Sequence, residues 1–233
     1  MKTQIKVHPV QARILVSLLF KKESRFRDLN NTKLTNDHFS FHIKELLRSG
    51  LIIKTKTGAY ALTKLGKEFA NRFDTDNKDI ERQAKLGALI VCTKTDKGKR
   101  LFLIQQRLKQ PYYGFYGFIT GKIRWGETIF ETAKRELSEE TGLVGKFNLS
   151  GIKHKTDYTK SGKLLEDKFF FVFKVEKTKG KLIEKFEGGR NQWLPKKEIL
   201  KLPNLFNDIA MSLKMIDNSS IEFSEAKYKV RGY

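Results

Sequence analysis

Residues Gly121–Leu143 read GKIRWGETIFETAKRELSEETGL. Five glutamates (Glu127, Glu131, Glu136, Glu139 and Glu140) fall within this stretch of a chain whose formal net charge is +21. Local signals predict a helix here. Thr128 and Glu131 have the Thr-x-x-Glu spacing of a capping box, in which the hydroxyl and the carboxylate each satisfy an otherwise unpaired amide at the helix start. Gly142 suits the position just past the helix end, where the chain turns left-handed. At about 100° per residue, Glu136, Glu139 and Glu140 share an arc of roughly 100°. Phe130, Ala133 and Leu137 form a neighbouring apolar arc that can anchor on a sheet. Like charges three and four residues apart repel by a few tenths of a kcal/mol per pair in water, and by more where water is excluded. Arg135, four residues before Glu139, offsets only part of this. A solvated face tolerates such a cluster. A face built to hold Mg²⁺ or Mn²⁺ uses it, because these ions prefer hard oxygen ligands.

The full spacing decides between the two. Gly121, five residues, Glu127, seven residues, then Arg135-Glu136-Leu137-x-Glu139-Glu140-x-Gly142-Leu143 resembles the complete Nudix box, G-x5-E-x7-R-E-U-x-E-E-x-G-U with U aliphatic. The resemblance implies a loop–helix–loop that binds Mg²⁺ or Mn²⁺ and a hydrolase that cleaves a nucleoside diphosphate linked to a further group X. It implies Glu136, Glu139 and Glu140 as metal ligands, with the carbonyl of Thr120 as a further one. Glu127 and Arg135 would tie loop to helix. The attacking water falls to Glu139 or to a loop glutamate outside the box. In KFEGGRNQWLP, Glu187 stands six residues before Trp193 and is the first choice, with Glu184 second. In FITGK, Thr120 stands where the family often has glycine, which narrows the approach to its carbonyl.

Around the box, RQAKLGALIVCTKTDKGKRLFLIQQR reads as a β-hairpin about TDKGK. DKFFFVFKVEK reads as a strand buried on both faces. NQWLPKKEILKLPNLFNDIAMSLKMI adds a strand end and helical segments. Arg107 and Lys122 are candidates to meet phosphate, or plain surface charges. Tyr112 and Tyr116, in the Gly-rich PYYGFYGF, either stack on a base or pack. The Nudix-like region is set at 83–216. The tail 217–233, with three acidic and three basic residues, carries no legible motif.

The first part of the chain has a different pattern. PVQARILVSLL has apolar residues at helical spacing, SRFRDLN makes a short second helix, and Thr35 caps a third with Phe39, Ile43, Leu46 and Leu47 as its stripe. Two short strands meet at Thr57-Gly58, and KLGKEFANRF closes with a helix. This order resembles an ArsR/MarR-like winged helix-turn-helix over residues 1–73, with a polar linker at 74–82. The resemblance implies DNA or RNA contact, with Thr35, Asn36, His38, Ser40 and His42 near bases and Lys44, Arg48, Lys54 and Lys56 near phosphates. The alternative use is dimerisation or a lid on the neighbouring domain.

The whole therefore reads as α+β, a winged helix domain followed by a Nudix α/β/α sandwich with a mixed sheet. Residues 1–80 hold 16 Lys and Arg against 8 Asp and Glu, and residues 81–233 hold 31 against 18, so basicity is spread over both parts. It suits a polyanionic partner. A lone cysteine, Cys92, rules out an internal disulfide and fits a reducing compartment. No apolar run approaches the roughly 18 residues that span a bilayer, and the start does not read as a signal peptide, so a cytoplasmic protein is expected. Three functions are weighed: a nucleotide pyrophosphohydrolase, a nucleotide-sensing transcription regulator, and an RNA-end pyrophosphohydrolase. Both resembled folds often dimerise, so a homodimer is expected.

Overall fold

The computed structural model describes residues 7–30, 34–73 and 83–230; the linker expected at 74–82 lies outside them. The chain divides into two compact units, Met1–Arg82 and Gln83–Tyr233.

In the first unit α1 (Pro9–Leu19) starts at a cap in which His8 and Gln11 exchange hydrogen bonds with each other's amides. α2 (Phe26–Leu29) is one turn, and α3 (Asn36–Arg48) is capped by Thr35. β1 (Ile52–Lys54) and β2 (Tyr60–Leu62) pair antiparallel around Gly58, whose φ of +80° a side chain rarely adopts. α4 (Lys64–Ala70) follows. The apolar faces meet in one core that includes Leu15, Leu18, Phe39, Ile43, Leu46 and Phe69. Three helices, a hairpin and a closing helix are the element order of a winged helix.

The second unit is built on a mixed sheet. Its elements are β3 (Lys85–Asp96), β4 (Lys99–Arg107), β5 (Tyr116–Gly117), β6 (Ile119–Lys122), α5 (Ile129–Thr141), β7 (Val144–Tyr158), β8 (Leu164–Lys179), β9 (Lys185–Phe186), β10 (Gly189–Pro195), α6 (Lys196–Ile199), α7 (Ile209–Met215) and β11 (Glu222–Lys229). The strand order is β11-β7-β8-β3-β4-β10-β9, with β6 on β3 and β5 on β4. β3 runs parallel to β8, and β11 parallel to β7. The parity of β3 makes the sandwich. Ala88, Ile90 and Cys92 pack with Ala133 and Leu137 of α5, while Leu89 and Val91 pack with Ile199, Ile209 and Leu213 of α6 and α7. Successive side chains of a strand point to opposite faces, so a near-continuous apolar run serves two layers.

Two segments depart from the expectations. The tail contains β11, whose Glu222–Lys229 pair in register with Gly151–Tyr158, so it belongs to the sheet. Its half-buried positions are Glu222, Ser224, Ala226 and Tyr228, which carry little of the apolar alternation that reveals a strand. The Gly- and aromatic-rich connection before the helix holds the short strands β5 and β6.

Candidate active site

The loop after β6 and the first turn of α5 are locked by one arginine. Arg135 donates from Nε to Glu127 Oε1 at 2.6 Å and from Nη2 to Glu127 Oε2 at 2.9 Å. This two-pronged pairing fits the planar guanidinium to the carboxylate. Glu127 Oε2 also accepts from Thr132 Oγ1 at 2.7 Å and from the Arg124 amide at 3.1 Å. The Arg135 hydrogen bonds, aided by these two, hold the Glu127 carboxyl down at about 2. The capping box forms as expected, with Thr128 and Glu131 each accepting from the other's amide. Arg135 also reaches Glu136 Oε1 at 2.6 Å, Glu139 Oε2 at 3.2 Å and the Lys122 carbonyl at 3.2 Å.

Gly121 has a steric reason. A Cβ there would lie 1.9 Å from both Cγ and Cδ of Glu136, so the Glu136 side chain rests directly on its backbone. Glu140 is the most enclosed of the box acids. Its Oε2 accepts from Gln105 Nε2 at 2.9 Å, and Lys109 Nζ stands 3.8 Å from Oε1. Burial raises its carboxyl above the ordinary range, against the pull of Gln105 and Lys109. Buried Asn191 donates to the Glu140 carbonyl at 2.8 Å and to the Ile183 carbonyl at 2.9 Å, tying the end of α5 to β10. Gln105 and Asn191 were not singled out in the sequence. Nothing local marks them, since Gln105 is followed by Gln106 and Arg107, and Asn191 stands between Arg190 and Gln192.

A cavity of about 640 Å³ is lined by Glu136, Glu140, Thr120 and Gly121 together with Arg107, Lys109, Lys122 and Arg124. Arg107 donates to the carbonyls of Pro111 at 2.6 Å and Gln110 at 3.1 Å, shaping the loop that carries Tyr112. Burial lowers the Arg107 guanidinium, although Glu140 and Glu166 oppose the shift. Tyr112 lines the cavity but is buried, its hydroxyl donating to Asp157 Oδ2 at 3.0 Å. Tyr116 packs into the core beside α7 and is not among the lining residues. Glu139 is half exposed and lies 3.6 Å from Arg124 as well as against Arg135. Glu184 and Glu187 are exposed and lie outside the lining; Glu187 sits on the β9–β10 turn. Among the described residues no three His, Cys, Asp or Glu side chains converge closely enough to hold a metal ion. Arg135 draws Glu136 and Glu139, and Gln105 draws Glu140.

The match of these residues to a family is independent of their geometry. The NUDIX domain model matches residues 84–214. The chain belongs to the NUDIX domain family. With its box complete, it is a Nudix pyrophosphohydrolase, a hydrolase acting on acid anhydrides. Among solved structures it is similar to a MutT protein from Bacillus halodurans, at 26% identity over 62% of this chain and 90% of that one, with a TM-score of 0.52. It also resembles in fold the NUDIX domain of NrtR from Shewanella oneidensis, a structure complexed with ADP ribose. That likeness has 18% identity over 67% of this chain and 97% of that one, with a TM-score of 0.52.

The Nudix domain also gathers charges that the sequence reading passed over. Lys155 and Asp157 of β7, Glu166 and Lys168 of β8, and Asp208 before α7 line the same cavity. In the first unit, Thr35, Asn36, His38, Lys44, Arg48, Lys54 and Lys56 are exposed and Ser40 is half-buried. His42 is not available to a base. It is buried, stacked 4.6 Å from His8 and 5.4 Å from His38, because α3 turns that position toward α1. Burial lowers its imidazole, with the two neighbouring histidines adding to the effect. No described helix is long and apolar enough to cross a membrane.

Proposed function

We propose that this Nudix enzyme hydrolyses a pyrophosphate bond in a nucleotide or another nucleoside diphosphate linked to X, with Mg²⁺ or Mn²⁺. The observation that carries the reading is the shared cavity, where two box glutamates face four basic side chains. The donor set fits the ion. Glu136, Glu139, Glu140 and the Thr120 carbonyl offer only hard oxygens, and Gly121 leaves room for Glu136 beside them. When bound, the metal would neutralise pyrophosphate charge and make water more acidic.

The chain's own residues supply the rest. Arg107, Lys109, Lys122 and Arg124 attract and orient the phosphates. Arg135, held by Glu127, fixes the start of α5 and keeps Glu136 and Glu139 side by side. Glu139 is assigned to orient the water and take its proton, since it has solvent access and stands beside Arg124 of the cavity wall. Glu187 is the alternative on the β9–β10 turn.

The first unit is proposed to bind nucleic acid through α3 and the hairpin, supported by the exposure of Lys44, Arg48, Lys54 and Lys56. The single cysteine supports a cytoplasmic place. Purified protein with Mg²⁺ should cleave at least one of a panel of nucleoside triphosphates, ADP-ribose, dinucleoside polyphosphates and capped RNA. Glu140→Gln should remove that activity while leaving the circular dichroism unchanged. No cleavage with either metal, together with a specific shift of a DNA duplex, would establish the regulator reading instead.

A further inference from the structure

On the β7–β8 ladder Lys155 faces Lys168, and Asp157 faces Glu166. Like charges directly opposite each other destabilise a sheet, and here Lys155, Asp157 and Glu166 are buried. Some of this charge has structural use. Lys153 and Lys155 both pair with Asp208, anchoring α7, and Lys85 binds Glu166 at 2.5 Å. Asp157 is different. Its Oδ2 accepts from Tyr112, but its Oδ1 has no hydrogen-bond partner among the described residues. Lys155 Nζ lies 3.2 Å from Oδ1 and pairs with it as an ion pair. Each carboxylate oxygen has two lone pairs, so with Tyr112 on one oxygen and Lys155 on the other Asp157 retains acceptor capacity, and its side chain lines the cavity. The same cavity is lined by the rings of Phe118, Phe170 and Phe206 and by an ammonium, Lys168, which lies 3.5 Å from Glu166.

We propose that Asp157 is a specificity-determining residue that reads a guanine-type base, with Lys168 beside it. This rests on the reading of the enzyme as a nucleotide hydrolase. A carboxylate has two oxygens, each with two lone pairs, and is acceptor only. Guanine alone among the common bases presents two adjacent donors, the N1–H and the 2-amino group. In adenine and cytosine the amino group is flanked by a ring nitrogen acceptor, and in uracil the single N–H lies between two carbonyls. Each of these would set a lone pair against Asp157. The guanine O6, next to N1–H, is the acceptor that a neighbouring ammonium would meet. The aromatic walls suit the faces of the ring.

The test uses the full-length protein. Binding of GMP, IMP, AMP and UMP is measured by calorimetry, alongside kcat/KM for GTP, ITP and ATP with Mg²⁺. GMP is expected to bind at least tenfold tighter than AMP or UMP, and IMP, which lacks the 2-amino group, at least tenfold weaker than GMP. Asp157→Asn should bring the GTP-to-ATP ratio of kcat/KM to near one while ATP hydrolysis persists. The analogue comparison needs no variant, so it stands even if Asp157→Asn folds poorly. Equal binding of GMP and AMP, or of GMP and IMP, overturns the proposal. So does an Asp157→Asn enzyme that loses GTP and ATP hydrolysis in equal proportion, which marks Asp157 as structural. GMP preference without cleavage of any triphosphate leaves the base reading intact and removes the hydrolase reading for nucleoside triphosphates. Cleavage without base preference does the reverse.

Discussion

At the scale of single residues, the box is a set of steric and electrostatic demands with few solutions. Gly121 is the clearest. Any Cβ at that position would overlap the Glu136 side chain, whose Oε1 would be only 2.2 Å away. Since Glu136 is also held by Arg135, it cannot simply swing aside. Gly121→Ala is therefore expected to displace the carboxylate while leaving the β3–β6 pairing in place. An ångström of misplacement at a reacting centre costs on the order of 100-fold in rate. Steady-state kinetics should show a loss of kcat of about that size, with the melting temperature little changed. A variant of ordinary kcat would mean that Glu136 is not held to its place by this contact. The glycine was legible in the sequence through spacing alone; the reason for it was not, because Glu136 lies 15 residues further on and meets it only in the fold.

At the scale of elements, α5 is the part of the protein most fully written in local sequence. Its start, its cap, its buried Ala133 and Leu137 and its left-handed end at Gly142 all follow from neighbours within a few residues. The capping box and the apolar arc act over one or two helical turns, so they can be read without knowing the rest of the chain. β7 is the opposite case. Its sequence VGKFNLSGIKHKTDY carries Lys153, Lys155 and Asp157 on the face that becomes buried, which hides the usual apolar alternation. Asp208, the partner of Lys153 and Lys155, is remote in sequence, so nothing local marks the strand or the second half of the cavity. The brace between loop and helix also crosses a distance, but a fixed one, from Glu127 to Arg135. Arg135→Lys tests what that brace does. Lysine keeps the charge but lacks the planar fork that engages both Glu127 oxygens and, at once, Glu136. Far-UV circular dichroism should remain that of the wild type, because the caps of α5 are intact. The kcat should fall by about 10- to 100-fold, the usual cost of losing a residue that orients ligands. An unchanged kcat would place the function of Arg135 in folding alone.

At the scale of the whole second unit, stability depends on a few buried charges that join β7 to the segment leading into α7. Burial opposes ionisation of Asp208, but Lys153 and Lys155 hold its carboxyl well below the usual carboxylate range. Ser212, on α7, accepts from Lys153 at 2.7 Å and completes the anchor. Burial lowers the Lys153 ammonium despite that pairing. Removing one partner from such a network leaves an uncompensated charge, at a cost of about 3–5 kcal/mol. Asp208→Asn should therefore lower the melting temperature by about 10 °C at neutral pH, given a few degrees per kcal/mol for a unit of this size. The pH dependence follows from the signs. A depressed carboxyl contributes stability above its unfolded pKa, about 4, and that contribution fades as the pH falls toward its folded value. The gap between wild type and Asp208→Asn should be full at pH 7 and narrow below about pH 4. Lys153 works in the other direction. A lysine lowered by folding penalises the native state while protonated, so the variant should regain stability as the pH rises toward the ordinary lysine range, about 10. Adding Lys153→Met to Asp208→Asn removes one of the unpaired charges, and thermal melts should show part of the loss restored. If Asp208→Asn melts with the wild type at every pH, the network carries no stability, and the burial of Lys153, Lys155, Asp157, Glu166 and Asp208 would then be left to substrate recognition alone.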